Sequence, residues 1–197
     1  MPDTQRVADV CRKHFGNVEC REGDDKSVFI TALDHMVEFE DGKAPVQFLM
    51  TSCMDFDGKT VDDFTRSQMW DCQESRDRIL EECRYSMLAT DFLARGLSSL
   101  ERANLEMDYL EVLAELFLSC EAFFFSGSGK LFEAEEIRGN QIEGPDRFIR
   151  YAVNVRFFTI QGSDDMQVDT LGMNTLFLPD LQYHFRGLDP NWIVNHA

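Results

Sequence analysis

The sequence predicts an α+β fold: a single mixed, largely antiparallel sheet with helices packed on it, in one domain spanning residues 1–197. Three observations predict it. Strand and helix patterns are interspersed without a regular βαβα period. Several strand segments are joined by turn pairs such as Asp41-Gly42. The chain is 44 % hydrophobic and holds 17 Phe, enough to bury a sizeable core at 197 residues.

The elements follow in order. From Thr4 to Phe15, the residues Val7, Val10, Cys11 and Phe15 recur at helical spacing, and Gly16-Asn17 supplies a stop. Ser27 to Leu33, Met36 to Phe39 and Val46 to Cys53 are β-branched and aromatic, and read as consecutive antiparallel strands. Met54 to Asp63 is polar with a second turn pair at Asp57-Gly58, and reads as a loop. Asp71 with Glu74 resembles a capping box for a helix carrying Ile79, Leu80 and Cys83 inward, and Tyr85 to Leu93 reads as a short buried strand.

Ser98 with Glu101 is a second capping box, opening a helix through Leu100, Ala103, Met107, Leu110, Leu113, Leu116 and Phe117 up to Ser119. Ala122 to Phe125 reads as a buried strand running into the Ser-Gly-Ser-Gly loop, and Glu133 to Gly144 as a short acidic helix or loop. Tyr151 to Ile160, Met166 to Leu171 and Leu181 to Phe185 complete the set as strands. No internal repeat or low-complexity stretch divides the chain.

Charge narrows the function classes. The chain carries 36 acidic against 19 basic side chains, a formal net charge of −17, with a pI near 4.5. Phosphate neutralisation requires Lys and Arg, and no basic run exists, so binding to nucleic acid or an anionic membrane is disfavoured. No apolar run of signal-peptide or membrane-spanning length occurs, and a cytoplasmic location is expected. The six cysteines are widely spaced with no Cys-x-x-Cys pair, as for free thiols in a reducing compartment; Cys53, beside the polar loop, is the pick for a nucleophile against a core thiol at a strand end. His14, His35, His184 and His196 form no zinc-binding spacing, and neither common phosphate-cradling glycine motif occurs, so no metal and no cofactor are expected.

The densest polar group is C-terminal: Asp169, Thr170, Asp180, His184, Arg186 and Asp189. A carboxylate beside an imidazole fixes its tautomer and raises its basicity, so Asp169, Asp180, His184 and Arg186 are the candidate catalytic residues, with Trp70 and Asp71 helping to form a pocket. The competing reading places Asp180 in a turn and His184 with Arg186 on one strand face. Glu101, Asp108, Glu111 and Glu115 on the outer side of the long helix, near Glu133, Glu135 and Glu136, make a candidate contact surface for a basic protein partner.

Val168-Asp169-Thr170-Leu171-Gly172-Met173, followed by Leu178-Pro179-Asp180-Leu181-Gln182-Tyr183-His184-Phe185-Arg186-Gly187-Leu188-Asp189-Pro190, resembles the signature of the bacterial domain-of-unknown-function family 4261. Gln68-x-Trp70-Asp71, Thr90-Asp91 with Ala94-Arg95-Gly96-Leu97, and Asn154-Val155-Arg156-Phe157-Phe158 agree with it, so the resemblance spans roughly 60–192. It implies a bacterial cytosolic origin and an α+β fold, and it brings no activity or catalytic residues. Similar proteins continue past the Leu-Asp-Pro element into a further helix and strand, whereas this chain stops at Ala197. The expectation from that difference is an uncovered sheet edge or apolar surface and a homodimer.

The functional expectation is a non-catalytic protein-binding module, immunity-like or regulatory, with a basic partner. The alternatives are an enzyme of undefined reaction using the Asp169, Asp180, His184 and Arg186 cluster, and an assembly subunit.

Overall fold

The computed structural model describes residues 1–139, 144 and 146–194. Helix α1 (Thr4–Phe15) starts at Asp3, whose carboxylate accepts from the Arg6 N–H, and stops at Gly16. Gly16 takes φ +74°, a conformation that side chains with a Cβ rarely adopt. The chain then forms strands β1 (Val18–Glu22), β2 (Val28–Phe39) and β3 (Gly42–Met50), with a tight turn at Glu40-Asp41, one residue before the expected Asp41-Gly42 pair. The two strands predicted at Ser27–Leu33 and Met36–Phe39 are one strand with an irregularity between Ala32 and Met36. There Pro45 of β3 has no N–H to donate to the ladder, and Asp34 turns aside to accept from the Asn17 backbone and side-chain amides.

Next come β4 (Met54–Asp55), α2 (Asp63–Ser67), α3 (Arg76–Glu82), β5 (Tyr85–Ser86) and β6 (Ala89–Phe92). Three expectations need correction here. The Met54 to Asp63 stretch contains β4 and a 3-10 turn, Gly58–Thr60. Helix α3 begins after Ser75; Asp71 sits in a separate 3-10 turn, Trp70–Cys72, because its carboxylate is drawn to distant cations. Tyr85 to Leu93 is two short strands, not one buried one, with Tyr85 and Leu88 exposed.

Helix α4 (Ser99–Leu116) carries the predicted capping box in full: the Ser98 hydroxyl accepts from the Glu101 N–H, and the Glu101 carboxylate accepts from the Ser98 N–H. Strands β7 (Ala122–Phe125) and β8 (Lys130–Glu133) make a hairpin around the Ser-Gly-Ser-Gly loop, and β7 is only half-buried. Helices α5 (Ala134–Gly139) and α6 (Asp146–Ala152) follow. Tyr151 and Ala152, predicted as strand, end α6, and the strand β9 (Asn154–Thr159) begins only at Asn154. Strands β10 (Asp165–Leu171) and β11 (Gln182–Arg186), then helix α7 (Pro190–Val194), end the described chain.

The α+β class holds, but the single mixed sheet does not. The described strands make four separate sheets, in which every pairing is antiparallel: β1-β2-β3-β6, β11-β10-β9, and the pairs β4-β5 and β7-β8. Helix α4 is the reason one sheet is not needed. It is apolar on two sides: Leu105, Tyr109, Val112 and Leu113 pack with α1 and the four-stranded sheet, while Ala103, Met107, Leu110 and Ala114 pack with Phe132, Phe148 and Tyr151. In the first cluster Phe15 stacks on Phe48 at 4.8 Å, Tyr109 lies 4.6 Å from Phe48, and the Tyr109 hydroxyl donates to the Leu49 carbonyl. Smaller clusters form under α3 and on the β9-β10-β11 sheet.

All six cysteines are free; Cys53 is exposed and belongs to none of the apolar clusters described, so the reading of it as a core thiol fails. The expectations attached to Ala197 and to His196 fall outside the described residues.

Candidate functional site

The C-terminal candidates divide into two neighbourhoods. Asp169 on β10 lies opposite Arg156 on β9 in the strand register and accepts two hydrogen bonds from its guanidinium, at 2.8 and 2.7 Å. Both side chains are over four-fifths buried, and the Asp169 carboxylate holds the Arg156 pKa above its ordinary value. Asp180 also faces this guanidinium and closes its own turn: it accepts from the Met173 N–H at 3.0 Å and from the Thr170 hydroxyl, which accepts from the Leu181 N–H. His184 and Arg186 belong to the second neighbourhood, on the exposed strand β11. His184 contacts Gln167 and Gln182, and Arg186 binds Asp165. The structure therefore joins Asp169 with Asp180 through Arg156 and sets His184 with Arg186 beside Asp165.

Trp70 and Asp71 lie on the 3-10 turn before α3. Trp70 is half-exposed, and Asp71 pairs with Lys130 at 3.0 Å and with Arg150 at 3.4 Å. Lys130 is the unforeseen residue: a buried ammonium donating to the Val153 carbonyl at 2.8 Å as well as to Asp71. Burial pushes its pKa down, and the Asp71 charge opposes this. Beside it the buried Asn154 amide donates to the carbonyls of Gln68 and Ser128. Two stretches far apart in sequence, Gln68–Asp71 and Asn154–Phe158, thus meet at one buried polar nucleus. A lysine directly between a Gly-rich turn and an apolar strand was the signal for it.

The acids of the long helix are engaged internally. Glu101 caps α4; Asp108 and Glu111 bind Arg147 of α6 at 2.9 and 2.7 Å; Glu115 pairs with Lys13 of α1; and His14 lies 3.5 Å from Glu111. They tie α1 and α6 to α4. A shallow cavity of about 420 Å³ opens beside this seam, lined by Asp3, Gln5, Arg6, Asp9, Lys13 and Glu115.

A further buried charged site on α4 is one the sequence did not single out. Arg102 on α4 forms a two-point pair with Asp91 of β6, both bonds 3.1 Å, and lies 3.1 Å from Glu106 one turn along the helix. The three side chains are only 12–14 % exposed. Desolvation, reinforced by the Asp91 charge, pushes the Glu106 pKa up to about 8. Phe177 covers the outside, its ring 4.9 Å from the Arg102 guanidinium and 5.5 Å from that of Arg95. Phe177 adopts φ +58° and nearby Leu93 φ +62°, conformations of measurable cost for large side chains. The site joins the Thr90–Leu97 stretch to the turn before Leu178-Pro179-Asp180.

Negative charge is in excess on the surface formed by α3 and the β7-β8 hairpin. The Arg78 guanidinium faces Glu121, Glu82 and Glu133, which hold its pKa above the ordinary value. Among the described residues, no three His, Cys, Asp or Glu side chains are grouped to hold a metal ion, and no helix is long and apolar enough to cross a membrane.

No curated protein and no solved structure matches this chain. A family model does match, over the C-terminal part that begins at Asp169 and takes in the Asp180 turn, β11 and α7; the Gln68–Asp71, Thr90–Leu97 and Asn154–Phe158 stretches lie outside the match. Residues 169–197 are thereby similar to the family described as Domain of unknown function (DUF4261).

Proposed function

We propose that this protein is a non-catalytic, cytoplasmic binding module, regulatory or immunity-like, whose partner is a basic protein. The observation that carries the reading is the charge excess around Arg78, where three carboxylates face one guanidinium on a chain of net charge −17. A basic partner would compensate these acids, and their field would speed its approach. Trp70, Glu111 and Glu115 remain partly exposed and supply further contacts in this reading, although Glu111 and Glu115 also serve the α1–α4–α6 seam. A second reading, an enzyme built on Asp169, Asp180, His184 and Arg186, is favoured by one observation: Asp169 and Asp180 converge on the largely buried Arg156.

The test is capture by the immobilised full chain at low and high ionic strength, with the captured protein identified and its binding remeasured from purified components. A partner of high pI is expected, released by salt because exposed charges are screened beyond about 10 Å at 0.1 M. The combined substitutions Glu82→Lys, Glu121→Lys and Glu133→Lys should weaken it at least tenfold, and Glu40→Lys should not. Binding indifferent to both salt and the triple reversal overturns the reading. Size-exclusion with light scattering on the same preparation decides between monomer and homodimer.

A further inference from the structure

We propose that Cys11 and Cys20 form a redox-sensitive pair, closing to a disulfide between α1 and β1 when the protein meets a hydroperoxide. The topology brings them together. Gly16 ends α1 at φ +74°, and β1 starts at Val18, so residue 11 near the end of the helix and residue 20 in the middle of the strand pack in the same core cluster. Cys11 is fully buried there. Cys20 lies on the core side of β1, between exposed Glu19 and Arg21, and is itself half-buried, so a small oxidant has a route to it and not to Cys11. Both pack in the cluster that contains Tyr109, whose hydroxyl senses both sulfurs.

Each thiol shifts the titration of the other, with the Arg12 guanidinium nearby, and both pack in one apolar cluster. That arrangement keeps the proton on Cys11 and lowers the pKa of Cys20, which gives the pair an attacking and a resolving member. The other thiols are placed differently. The Cys72 sulfur is bonded to the Ser75 hydroxyl, Cys120 donates to the Ala122 carbonyl, and Cys53 is exposed on a loop. The Cys120 pKa is raised chiefly by burial, with Cys83 a minor contributor.

The chemistry balances with hydrogen peroxide as oxidant. The Cys20 thiolate attacks one peroxide oxygen; the S–O bond forms, the O–O bond breaks, and the departing hydroxide takes up a proton to leave as water. The Cys11 sulfur then attacks the Cys20 sulfenic acid; the S–S bond forms, the S–O bond breaks, and the hydroxyl leaves with the Cys11 proton as a second water. For the bond to form, the two sulfurs must close to about 2.05 Å.

The test treats the full native chain with hydrogen peroxide, followed by thiol titration in denaturant and non-reducing peptide mapping. The expected result is loss of two of the six titratable thiols and a reducible Cys11–Cys20 linked peptide, retained in Cys53→Ser and lost in Cys20→Ser. Since the linkage is read in the wild-type chain, a folding defect in Cys20→Ser does not affect the outcome. The proposal is overturned if all six thiols survive while an exposed control peptide oxidises, if Cys20 accumulates as sulfinic acid with Cys11 still reduced, or if the linkage found is Cys83–Cys120.

Discussion

Replacing Glu106 by Gln tests the buried carboxylate–arginine site directly. In the folded chain the Glu106 carboxyl titrates at about 8 against a usual 4.5, chiefly because burial removes its hydration and secondarily because Asp91 is close; Arg102 opposes both effects only in part, since it is already committed to Asp91. The folded-state pKa is raised, so the native state favours the protonated form. Its favourable contribution is complete below about pH 4.5 and is lost as the pH climbs through 8. One pKa unit corresponds to about 1.4 kcal/mol, which sets a ceiling of about 5 kcal/mol for the whole span. Relaxation and water penetration at a site of effective dielectric near 20 reduce this to about 2 kcal/mol.

Gln cannot ionise and keeps nearly the same shape. Glu106→Gln should match the wild type at pH 5 and exceed its stability by about 2 kcal/mol at pH 9, a difference in which the other titrating groups cancel. The assay is urea unfolding in reducing buffer at several pH values, followed by fluorescence of Trp70 and Trp192. Parallel pH profiles for the two proteins would refute the reasoning, because they would mean that Glu106 ionises in the folded chain as readily as in the unfolded one.

Two further outcomes follow from the buried nucleus and the close backbone approach near it. Lys130→Ala leaves the Val153 carbonyl and much of the Asp71 charge without their partner, and should cost about 3 kcal/mol. Adding Asp71→Asn should recover part of that loss in the urea midpoint, whereas strict additivity of the two would contradict the pairing. Gly172→Ala combines φ +127° with a new Cβ only 2.7 Å from the Ala152 carbonyl oxygen, so it should lower stability by at least about 2 kcal/mol. Gly139→Ala, which meets open space, is the control within a helix, and an equal thermal midpoint for the two variants would refute the account.

Legibility in the sequence tracked the range of the interaction. Helix α1 and the start of α4 were readable because their signals lie within a few residues: apolar spacing, a cap and a stop. The β2-β3 turn was readable for the same reason. The Tyr151-Ala152 end of α6 was misread because its apolar residues serve as one face of a helix buried under Phe132, and over so short a run strand and helix patterns are indistinguishable. Asp71 reads as a cap in the sequence because its true partners, Lys130 and Arg150, lie 59 and 79 residues away. Of the C-terminal candidates, the competing reading places Asp180 in a turn and His184 with Arg186 on one strand face, as in the structure; the convergence on Arg156 has no local signal.

By itself the sequence determined the α+β class, the acidity, the capped long helix and the C-terminal family signature, because each is written in composition or in contiguous residues. Only the tertiary structure decided that the strands divide into four sheets around a helix with two apolar sides, and which base each acid meets. With 36 acidic and 19 basic side chains, almost any pairing is allowed by composition. The selection of Asp91 and Glu106 for Arg102, Asp71 for Lys130, and Asp108 and Glu111 for Arg147 is made by burial and distance, which exist only once the chain has folded.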